Sequence, residues 1–486
     1  MKTIRFSLQR IAETYADRPA LIGAERMISY AEYHRQVHTV ADNLIQIGIE
    51  RQERLGIILD NSIEYILLLM AAFQIGAIAC PISPRFPEKT INTLLEKINC
   101  KKLVAGPYHR SKSYKATTFE LAALLNPLES LAGKTISKEI DVEQDATIIF
   151  TSGSKAEPKA VLHTLANHYY NALGANDNMP LQPRDRWLLS LPLYHVGGMG
   201  IVFRCLLSGA AVVVPARNDR MTAIILRHRV THVSLVPTQL KRLLDDTVSG
   251  ETATCLKHVL VGGSAVPQDL IRRAKESGFE LHTSYGLSEM ASQVTTTALA
   301  DSPEKLFTSG RILKYRELKL SPENEIRVRG KTRFKGYVEK KSLITPFDED
   351  GWFGTCDLGV MDVEGYLMVF GRKDNMFISG GENIQPEEIE RILGRLDIVD
   401  QAMVVPVKDS EYGQRPVAFI RAAGEREIIA EDIIHFLQEY LPRFKIPVGF
   451  YPWPDGTKLD GIKPSRRFFV ELAQELCRTK SEMFGK

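Results

Sequence analysis

The chain has 486 residues, which is too long for one compact core, because single hydrophobic cores stop growing near ~250 to 300 residues. We therefore expect two or three domains. The sequence is 44% hydrophobic and 25% charged, as in globular proteins. Its 62 basic and 59 acidic side chains leave a net charge of only +3, which argues against an electrostatic nucleic-acid or membrane binder.

The composition of the apolar segments and the cysteines indicates a cytoplasmic protein without an integral membrane segment. The N-terminal stretch MKTIRFSLQRIAETYADRP lacks the apolar core of a signal peptide. The most apolar stretch, Tyr65 to Cys80, is shorter than a membrane span and contains Gln74 and Gly76, so we interpret it as a buried helix leading into a buried strand. The six cysteines are widely spaced, with no CxxC pair and no zinc-ligand spacing, and we expect reduced thiols.

Strand and helix patterns alternate along most of the chain. A first unit reads RLGIILD, SIEYILLLMAAFQIG and AIACPIS. From Trp187 onward the apolar runs WLLSLP, AAVVVP, THVSLVP, HVLVG and FELHTS are separated by helical segments such as TQLKRLLDD and PQDLIRRAKESG. Strands that alternate with helices and are apolar on both faces predict a doubly wound, mostly parallel α/β sheet.

Between these two regions, the apolar run ATIIF is followed by TSGSKAEPKA at residues 151–160. This segment does not match GxxxxGK[ST], and a second strand, AVLHT, follows it instead of a helix, so it is not a Walker-type P-loop. A Ser/Thr/Gly turn between two strands can still direct backbone N–H groups and hydroxyls at phosphate, with Lys159 as a mobile positive charge. From the residues alone, a plain exposed hairpin and a phosphate-binding loop both remain open.

Two further loops follow predicted strands of the parallel sheet. Gly262-Gly263-Ser264 comes after HVLV, and Tyr285-Gly286-Leu287-Ser288-Glu289 comes after ELHTS. Ligands of such sheets bind at the carboxyl ends of the strands, where loops and helix N-termini converge. Because one crossover helix joins the two strands, we expect both loops to open on the same edge of the sheet.

The sequence changes character past Gly371. The stretch GRKDNMFISGGENIQPEEIERIL predicts a charged turn, a short strand, a glycine pair and a helix. Short strands (QAMVVPV, RPVAFIR), a helix (DIIHFLQEYL) and a basic tail follow, as in a separate α+β domain. We predict a large N-terminal domain over residues 1–371, a hinge at 372–374 and a small C-terminal domain over 375–486.

Six motifs occur in order along the chain: the loop at 151–160, SLPLYH, SYGLSE, WFGTCDLG, GRKDNMFISGGENI and GIKPSRR. Together they resemble the adenylate-forming superfamily of acyl-CoA synthetases, peptide-synthetase adenylation domains and luciferases, over nearly the whole chain. Within it, SLPLYHVGGMGIVFR, SLVPTQLKRLL, SGGENIQPEEIERIL and GIKPSRR are most similar to the o-succinylbenzoate:CoA ligases of menaquinone biosynthesis.

This resemblance implies an AMP-forming, ATP-dependent acid:thiol ligase. Such an enzyme activates a carboxylic acid with ATP to an acyl-adenylate and then transfers the acyl group to coenzyme A. The implied partners are small molecules, namely an aromatic dicarboxylic acid, ATP with Mg²⁺, and CoA, and a homodimer is left open. The small domain is implied to be mobile and to rotate about the hinge between the two steps.

The nucleotide contacts that the resemblance implies come from several parts of the chain: Thr151, Ser152, Gly153, Ser154, Gly262, Gly263, Ser264, Tyr285, Gly286, Ser288, Asp357 and Arg372. The phosphate loop departs from the family pattern at Lys155, Ala156 and Ala160. If Ala156 takes a positive φ, the loop is strained by ~1 kcal/mol or more. Lys155 could add a compensating charge, or the loop could be impaired.

The catalytic residues implied by the resemblance are Lys159, His195, Glu289 and Lys463. Glu289 matches the carboxylate that holds magnesium, and Lys159 matches the lysine of the phosphate loop. Lys463 matches the small-domain lysine that contacts the reacting carboxylate and the α-phosphate. Most family members have GK[IL]xR where this chain has GIKPSR, so Lys463 is assigned by alignment of the tail.

Residues for the acid, the hinge and CoA complete the implied site. His195 corresponds to the gate of the acid pocket, and its chemistry is left open. Arg204, nine residues later, could pair with the second carboxylate of a diacid, or it could cap a helix against solvent. Asp374 matches the hinge position, and the pair Gly380-Gly381 matches the segment beside the pantetheine tunnel.

Other functions remain open at this stage. The chain could be another aryl- or medium-chain acid:CoA ligase, or an adenylation domain that loads a carrier protein in trans. It could also be a non-catalytic nucleotide binder that lost turnover through Lys155 and Ala156.

Overall fold

The computed structural model describes residues 5–109, 112–126, 139–151, 158–246, 254–424, 426, 428–454 and 466–483. Within these residues the α-helices are α1 Leu8–Thr14, α2 Tyr30–Gln46, α3 Ile63–Ile75, α4 Glu88–Lys97, α5 Leu165–Asn178, α6 Val196–Ser208, α7 Met221–His228, α8 Pro237–Asp246, α9 Gln268–Glu276, α10 Pro386–Leu393, α11 Ala430–Gln438 and α12 Arg466–Met483.

The strands of the same residues are β1 Arg5–Phe6, β2 Pro19–Ile22, β3 Met27–Ser29, β4 Arg54–Ile58, β5 Ile78–Pro81, β6 Lys102–Ala105, β7 Thr117–Glu120, β8 Ile140–Asp141, β9 Asp145–Thr151, β10 Lys159–Thr164, β11 Arg186–Leu188, β12 Ala211–Val213, β13 His232–Leu235, β14 His258–Val261, β15 Leu281–Leu287, β16 Ser292–Thr296, β17 Arg311–Ile312, β18 Arg316–Leu320, β19 Glu325–Gly330, β20 Gly336–Glu339, β21 Ser342–Ile344, β22 Phe353–Met361, β23 Leu367–Arg372, β24 Phe377–Ser379, β25 Glu382–Ile384, β26 Val399–Asp409, β27 Gly413–Ala422 and β28 Phe450–Pro452.

A nine-stranded sheet is built from the repeating apolar runs. Its order is β17-β16-β15-β14-β13-β11-β12-β2-β3. The strands from β15 to β2 are parallel, and antiparallel strands close both edges. The predicted parallel sheet is therefore confirmed, and the fold is α/β. One detail was wrong, because Tyr285, Gly286 and Leu287 are the end of β15 rather than a loop, since β16 turns back and pairs with them.

A second, eight-stranded sheet has the order β21-β20-β10-β9-β5-β4-β6-β7. Its parallel part contains the first predicted unit, in which α3 connects β4 to β5. Ser62 caps the N-terminus of α3 through its side chain, and Gly76 ends the helix in the left-handed conformation. Nearly every side chain of α3 is buried, which confirms the interpretation as an interior helix. No helix in the described ranges is both long and apolar enough to cross a bilayer.

Two smaller β-structures follow. The antiparallel sheet β18-β19-β22-β23 ends at Arg372, and beyond it come the β24-β25 hairpin and the sheet β26-β27-β28 with helices α10, α11 and α12. Two hydrophobic clusters are formed entirely by residues from Phe377 onward, and the other clusters use residues up to Val369. This arrangement agrees with a separate α+β unit, and the domain bounds at 371 and 375 stay a prediction.

Buried histidines line the amino-terminal edge of the nine-stranded sheet. His232 and His258 are paired on β13 and β14, and the Nδ1 of His258 lies 3.0 Å from the Nε2 of His282 on β15. The Nδ1–H of His282 donates to the carbonyl oxygen of Thr297, so its Nε2 accepts from His258. His232 stacks on Trp187 with ring centroids 4.9 Å apart. The geometry thus requires His282 to be neutral.

We expect the stability of the chain to fall as pH drops below about 6.5, the ordinary histidine pKa. Burial lowers the pKa of His232 to about 2 and of His163 and His282 to about 4. Between pH 6.5 and 4 these histidines therefore bind protons in the unfolded chain but not in the folded chain. Each histidine lowers the unfolding free energy by up to about 1.4 kcal/mol per pH unit as the pH falls.

Urea denaturation between pH 7.5 and 5 tests this expectation. The variant His282→Gln is the control. Because it lacks one titrating group, its unfolding free energy should change less steeply with pH, by up to about 1.4 kcal/mol per pH unit. Equal slopes for the two proteins would contradict the assignment of His282 as a buried neutral group.

Candidate active site

The two strands that flank the predicted phosphate loop are paired. Strands β9 and β10 pair antiparallel, with Thr151 opposite Lys159. The predicted second strand after the loop is therefore confirmed. Ser152, Gly153 and Ser154 lie outside the described residues, as do Lys155 and Ala156. Ala160 is buried in β10 opposite Phe150, so a larger side chain there would have to displace core atoms.

Tyr337 brings Lys159 and Glu289 together. Its hydroxyl donates to the Oε1 of Glu289 at 2.7 Å, and the Nζ of Lys159 lies 4.8 Å from the centre of its ring. Burial and the neighbouring carboxylate of Glu289 raise the pKa of Tyr337, so the phenol stays protonated and remains a donor. The Glu289 carboxylate and the Lys159 ammonium group thus both contact Tyr337, next to the start of β10.

A directed hydrogen-bond chain supports the turn that carries Glu289. The Nε2–H of His163 donates to the carbonyl oxygen of Ser288 at 2.7 Å. The Nδ1 of His163 must then accept from the Thr147 hydroxyl at 3.2 Å, and that oxygen accepts from the Nε2–H of His168 at 2.8 Å. Burial lowers the pKa of both histidines, which keeps them neutral and fixes these donor roles.

The two strand ends that were predicted to open on one edge lie side by side. Strands β14 and β15 are parallel, and Gly262 follows β14 against Ser284 of β15. A Cβ atom on Gly262 would lie 2.5 Å from the Oγ of Ser284. The hydroxyl of Ser284 donates to the carbonyl oxygen of Val261 at 3.2 Å. The approach is close because residue 262 has no side chain, and the next residues, Gly263 and Ser264, are exposed.

Asp357 is held from two sides. It is only 9% exposed, and its carboxylate accepts from the hydroxyl of Tyr285 at 2.6 Å and from the Nη1 of Arg372 at 2.8 Å. Burial and the carboxylate of Asp357 raise the pKa of Tyr285 well above its usual value. Burial opposes the charge of Arg372, but its acidic partners outweigh burial and raise its pKa. The structure therefore brings the predicted Tyr285, Asp357 and Arg372 into direct contact.

The predicted hinge continues from this contact. Arg372 also pairs with Asp374, through Nε at 2.8 Å and Nη2 at 3.1 Å. The amide of Gln385 donates to the carbonyl oxygen of Arg372 at 3.0 Å. Gly380 and Gly381 form the turn of the β24-β25 hairpin, and both have positive φ, which glycine adopts without strain.

Lys463 lies outside the described residues. The nearest described residue after it is Arg466, the first residue of α12, whose guanidinium pairs with Glu390 at 2.7 and 3.0 Å and with Glu387 at 3.4 Å. These contacts tie the start of α12 to α10.

His195 lies just before α6, and Arg204 lies within it. His195 precedes the first turn and is half-buried, with its ring 4.7 Å from that of Tyr194. Arg204 lies in the third turn and is 2% exposed, so the interpretation as a helix cap against solvent was wrong. It sits inside the molecule because α6 packs between α5 and the sheet, and its guanidinium lies 4.1 Å from the centre of the Trp187 ring.

The sequence prediction missed Tyr337, His163 and Gln293, although all three contact predicted site residues. Tyr337 follows a glycine in RFKGYVEK, and a polar aromatic residue beside a turn was the only signal. His163 and Gln293 lie within apolar strands, where a polar side chain facing the core needs a partner. The partners come from distant parts of the chain, so spacing along the sequence could not identify them.

Comparisons with known proteins agree with this geometry. A family model described as AMP-binding enzyme matches residues 8–338, and one described as AMP-binding enzyme C-terminal domain matches residues 388–457. The chain is 36% identical over 454 residues to the 2-succinylbenzoate--CoA ligase of Haemophilus influenzae, covering 93% of each chain.

Solved structures of Bacillus subtilis o-succinylbenzoate CoA synthetase (MenE) are similar throughout. The complex of that protein with the acyl-adenylate intermediate OSB-AMP matches with a TM-score of 0.85 and 29% identity, covering 93% of this chain and 95% of the other. Its complex with ATP and magnesium ion matches with a TM-score of 0.85 and 29% identity, covering 93% and 96%.

We expect Gly262→Ala to destabilise the chain by roughly 1 to 2 kcal/mol, because the new methyl group displaces the Ser284 hydroxyl from its buried acceptor. The second variant, Ser284→Ala, removes the obstructing oxygen. Combining the two should recover most of the loss, and unfolding free energies from urea titrations of the four proteins measure the coupling. Purely additive effects would contradict the close approach of these strand ends.

Proposed function

The chain belongs to the AMP-binding enzyme family, and from that membership we propose that it is an o-succinylbenzoate:CoA ligase. It activates the acid with ATP to an acyl-adenylate and then forms the CoA thioester. The observation that carries the proposal is the convergence of Lys159, Glu289, Asp357 and Arg372 with two tyrosines at one edge of the sheets. The relatives named as this ligase, which match nearly end to end, support the choice of substrate.

Adenylation brings two anions together. The acid's carboxylate oxygen attacks the α-phosphorus, a C(O)–O–P bond forms, and the bond to the β-phosphate oxygen breaks as pyrophosphate leaves. Positive charge at the phosphates lowers the repulsion between the carboxylate and the triphosphate. Lys159 at the start of β10 and the N–H groups of the preceding hairpin turn are proposed to supply it.

Glu289 is proposed to hold Mg²⁺ that arrives with the nucleotide. Magnesium in nucleotide sites takes one or two protein carboxylates and completes its shell with phosphate oxygens and water. A single carboxylate at the mouth of the hairpin fits that donor set, and the described residues contain no cluster of three or more ligating side chains that would form a cage. When bound, the ion neutralises phosphate charge, and Tyr337 orients the Glu289 carboxylate.

The nucleoside is proposed to lie across the ends of β14, β15 and β22. Gly262 and Gly263 leave backbone exposed for the adenine, and Tyr285 offers a ring beside it. Asp357 is proposed to accept from the ribose hydroxyls, and Arg372 to reach the same sugar. The Tyr285 and Arg372 contacts hold the Asp357 carboxylate in place before a sugar arrives.

Arg204 is proposed to bind the second carboxylate of the acid. Its guanidinium is buried, and within the described residues no carboxylate lies within ion-pair distance of it. Burial lowers the pKa of Arg204 to about 9, which measures how poorly the protein alone compensates this charge. An anionic substrate group would supply the missing partner. His195 precedes the first turn of the same helix.

The second step is proposed to use a different face of the small domain. Thioester formation requires the CoA sulfur to attack the acyl carbonyl, with AMP as the leaving group and the thiol proton released. Rotation about Asp374 would withdraw Lys463 from the adenylate and bring Gly380 and Gly381 beside the pantetheine arm. A homodimer remains a prediction.

We expect the purified chain with ATP, Mg²⁺ and CoA to convert o-succinylbenzoate into AMP and the CoA thioester, detected by mass spectrometry. A panel of benzoates and of medium- and long-chain fatty acids serves as the comparison. Thioester formation with fatty acids and none with o-succinylbenzoate would contradict the substrate assignment. Absence of acid-dependent pyrophosphate exchange with every acid would instead indicate a nucleotide binder without turnover.

Replacing Arg204 with Leu should raise the KM for o-succinylbenzoate by at least about 30-fold, because a buried charge partner is lost, while the KM for ATP changes far less. The matched control is Arg316→Leu. Arg316 is also buried without an acidic partner in the described residues, but it donates to the carbonyl oxygens of Gln293, Lys314 and Asn171.

The Arg316 variant should therefore lose stability and leave the ratio of the two KM values near that of the parent. Steady-state kinetics with each substrate varied in turn gives both ratios. An unchanged KM for the diacid in the Arg204 variant would remove Arg204 from the pocket.

A further inference from the structure

We propose that Gln293 is a positioning residue, which holds the Arg204 guanidinium through a neutral amide and so leaves its charge available for the second carboxylate of the acid. The inference rests on the proposed function as a ligase of a diacid and adds a residue that decides specificity within it. Its basis is the hydrogen-bond geometry around Arg204: two side-chain amide oxygens hold its guanidinium, whereas carboxylates hold that of Arg372.

The orientation of the Gln293 amide is determined by its neighbours. The Nη1 of Arg204 donates to the Oε1 of Gln293 at 3.2 Å, and the Nε2 of Gln293 donates to the Oγ1 of Thr296 at 2.7 Å. The hydroxyl hydrogen of Thr296 is used on the carbonyl oxygen of Thr295 at 2.7 Å. The Thr296 oxygen can therefore only accept, and a flipped amide would direct its NH₂ at the guanidinium. The amide oxygen of Gln293 must face Arg204.

A second amide holds the opposite edge of the guanidinium. The Nε of Arg204 donates to the Oδ1 of Asn176 at 3.1 Å, and the Nδ2 of Asn176 donates to the carbonyl oxygen of Arg204 and to the Oγ of Ser208. The remaining protein acceptor is the carbonyl oxygen of Ala175, 3.5 Å from Nη2. Every acceptor that the described residues offer to this side chain is neutral.

Acidic side chains in this part of the molecule pair with other cations. Asp185, which raises the pKa of Cys205 on the same helix as Arg204, is 2% exposed and pairs with Lys257. Elsewhere at the site, Arg372 pairs with Asp357 and Asp374. Burying a cation without a counter-ion costs stability. Arg316 is also buried without one, but backbone carbonyl oxygens hold all three of its guanidinium nitrogens, whereas side-chain amides hold Arg204. A ligand carboxylate would gain from the Arg204 charge, because that charge is not already neutralised.

The guanidinium retains donors for a ligand. It has five N–H groups, of which three are used by the hydrogen bonds above, which leaves two for a ligand among the described contacts. Gly200 lies one helical turn earlier on the same face of α6, and a Cβ atom there would lie 3.9 Å from the Oγ of Ser292, an ordinary contact distance. Ser292 precedes Gln293 in β16, so the face of α6 that carries Arg204 packs against β16 close to the Glu289 turn.

The variant Gln293→Glu tests the proposal by adding a carboxylate where the amide oxygen now lies. That carboxylate would pair with Arg204 and compete with the substrate. We expect the ratio of kcat/KM for o-succinylbenzoate to kcat/KM for the matched keto acid without the ring carboxylate to fall at least about 30-fold. The thermal unfolding midpoint should equal or exceed that of the parent, because the buried cation gains a counter-ion.

The matched control is Gln293→Met, which keeps the volume and adds no charge. Its ratio should fall by more than about twofold and less than about tenfold, since Arg204 loses a hydrogen bond but keeps its charge. If the Glu variant does not fold, the Met variant still tests the proposal. A ratio of the two kcat/KM values that stays within about twofold of the parent would overturn the positioning role.

The outcomes separate this inference from the proposed function. A parent protein that prefers the diacid, with a Glu variant that keeps the same preference, would overturn the role of Gln293 alone. A parent protein that converts the diacid and the keto acid equally well would overturn both the Gln293 role and the diacid specificity of Arg204.

Discussion

The turn at Ser288 and Glu289 is the contact on which the rest of the site depends. It joins β15 of the nine-stranded sheet to β16, and it receives hydrogen bonds from the other sheet. His163 of β10 donates to the carbonyl oxygen of Ser288, and the backbone N–H of Phe334 donates to that of Glu289. Both sheets are therefore tied to the turn that carries Glu289, whose carboxylate accepts from Tyr337 of the second sheet.

Burial has opposite consequences for the charge of polar side chains in two parts of the large α/β region. At the amino-terminal edge of the nine-stranded sheet, desolvation keeps His232 and His282 neutral, and their hydrogen bonds need that state. Beside α6, desolvation acts on a guanidinium whose charge persists because even a lowered arginine pKa lies above neutral pH. Desolvation therefore keeps the structural histidines uncharged in one place and leaves a buried guanidinium charged in the other.

The contacts of the small α+β unit with the rest of the chain are few and partly solvated. Asp400 of β26 pairs with Lys241 of α8 and accepts from Arg421 at 2.7 Å. At the junction Arg372 pairs with Asp357 and Asp374, and Lys373 pairs with Glu325 at 3.6 Å; Arg372 is 41% exposed. Ion pairs of this kind are worth little individually in water, so exchanging them for others costs little. The proposed rotation about Asp374 thus needs no disruption of a hydrophobic core, since the clusters on the two sides share no residues.

The sequence by itself determined the alternation of strands and helices, the parallel sheet, the hairpin after ATIIF and the change of character past Gly371. These follow from apolar periodicity and from glycine and proline positions, which act over a few residues. The ordered motifs also predicted a set of site residues, and in the structure Tyr285, Asp357 and Arg372 of that set are in direct contact; their roles stay a prediction. Only the tertiary structure decided that Arg204 is buried rather than solvent-capped, and that Tyr337, His163 and Gln293 hold the site residues. Their partners lie 48 to 125 residues away along the chain, and burial and hydrogen-bond direction arise only when those distant segments pack together.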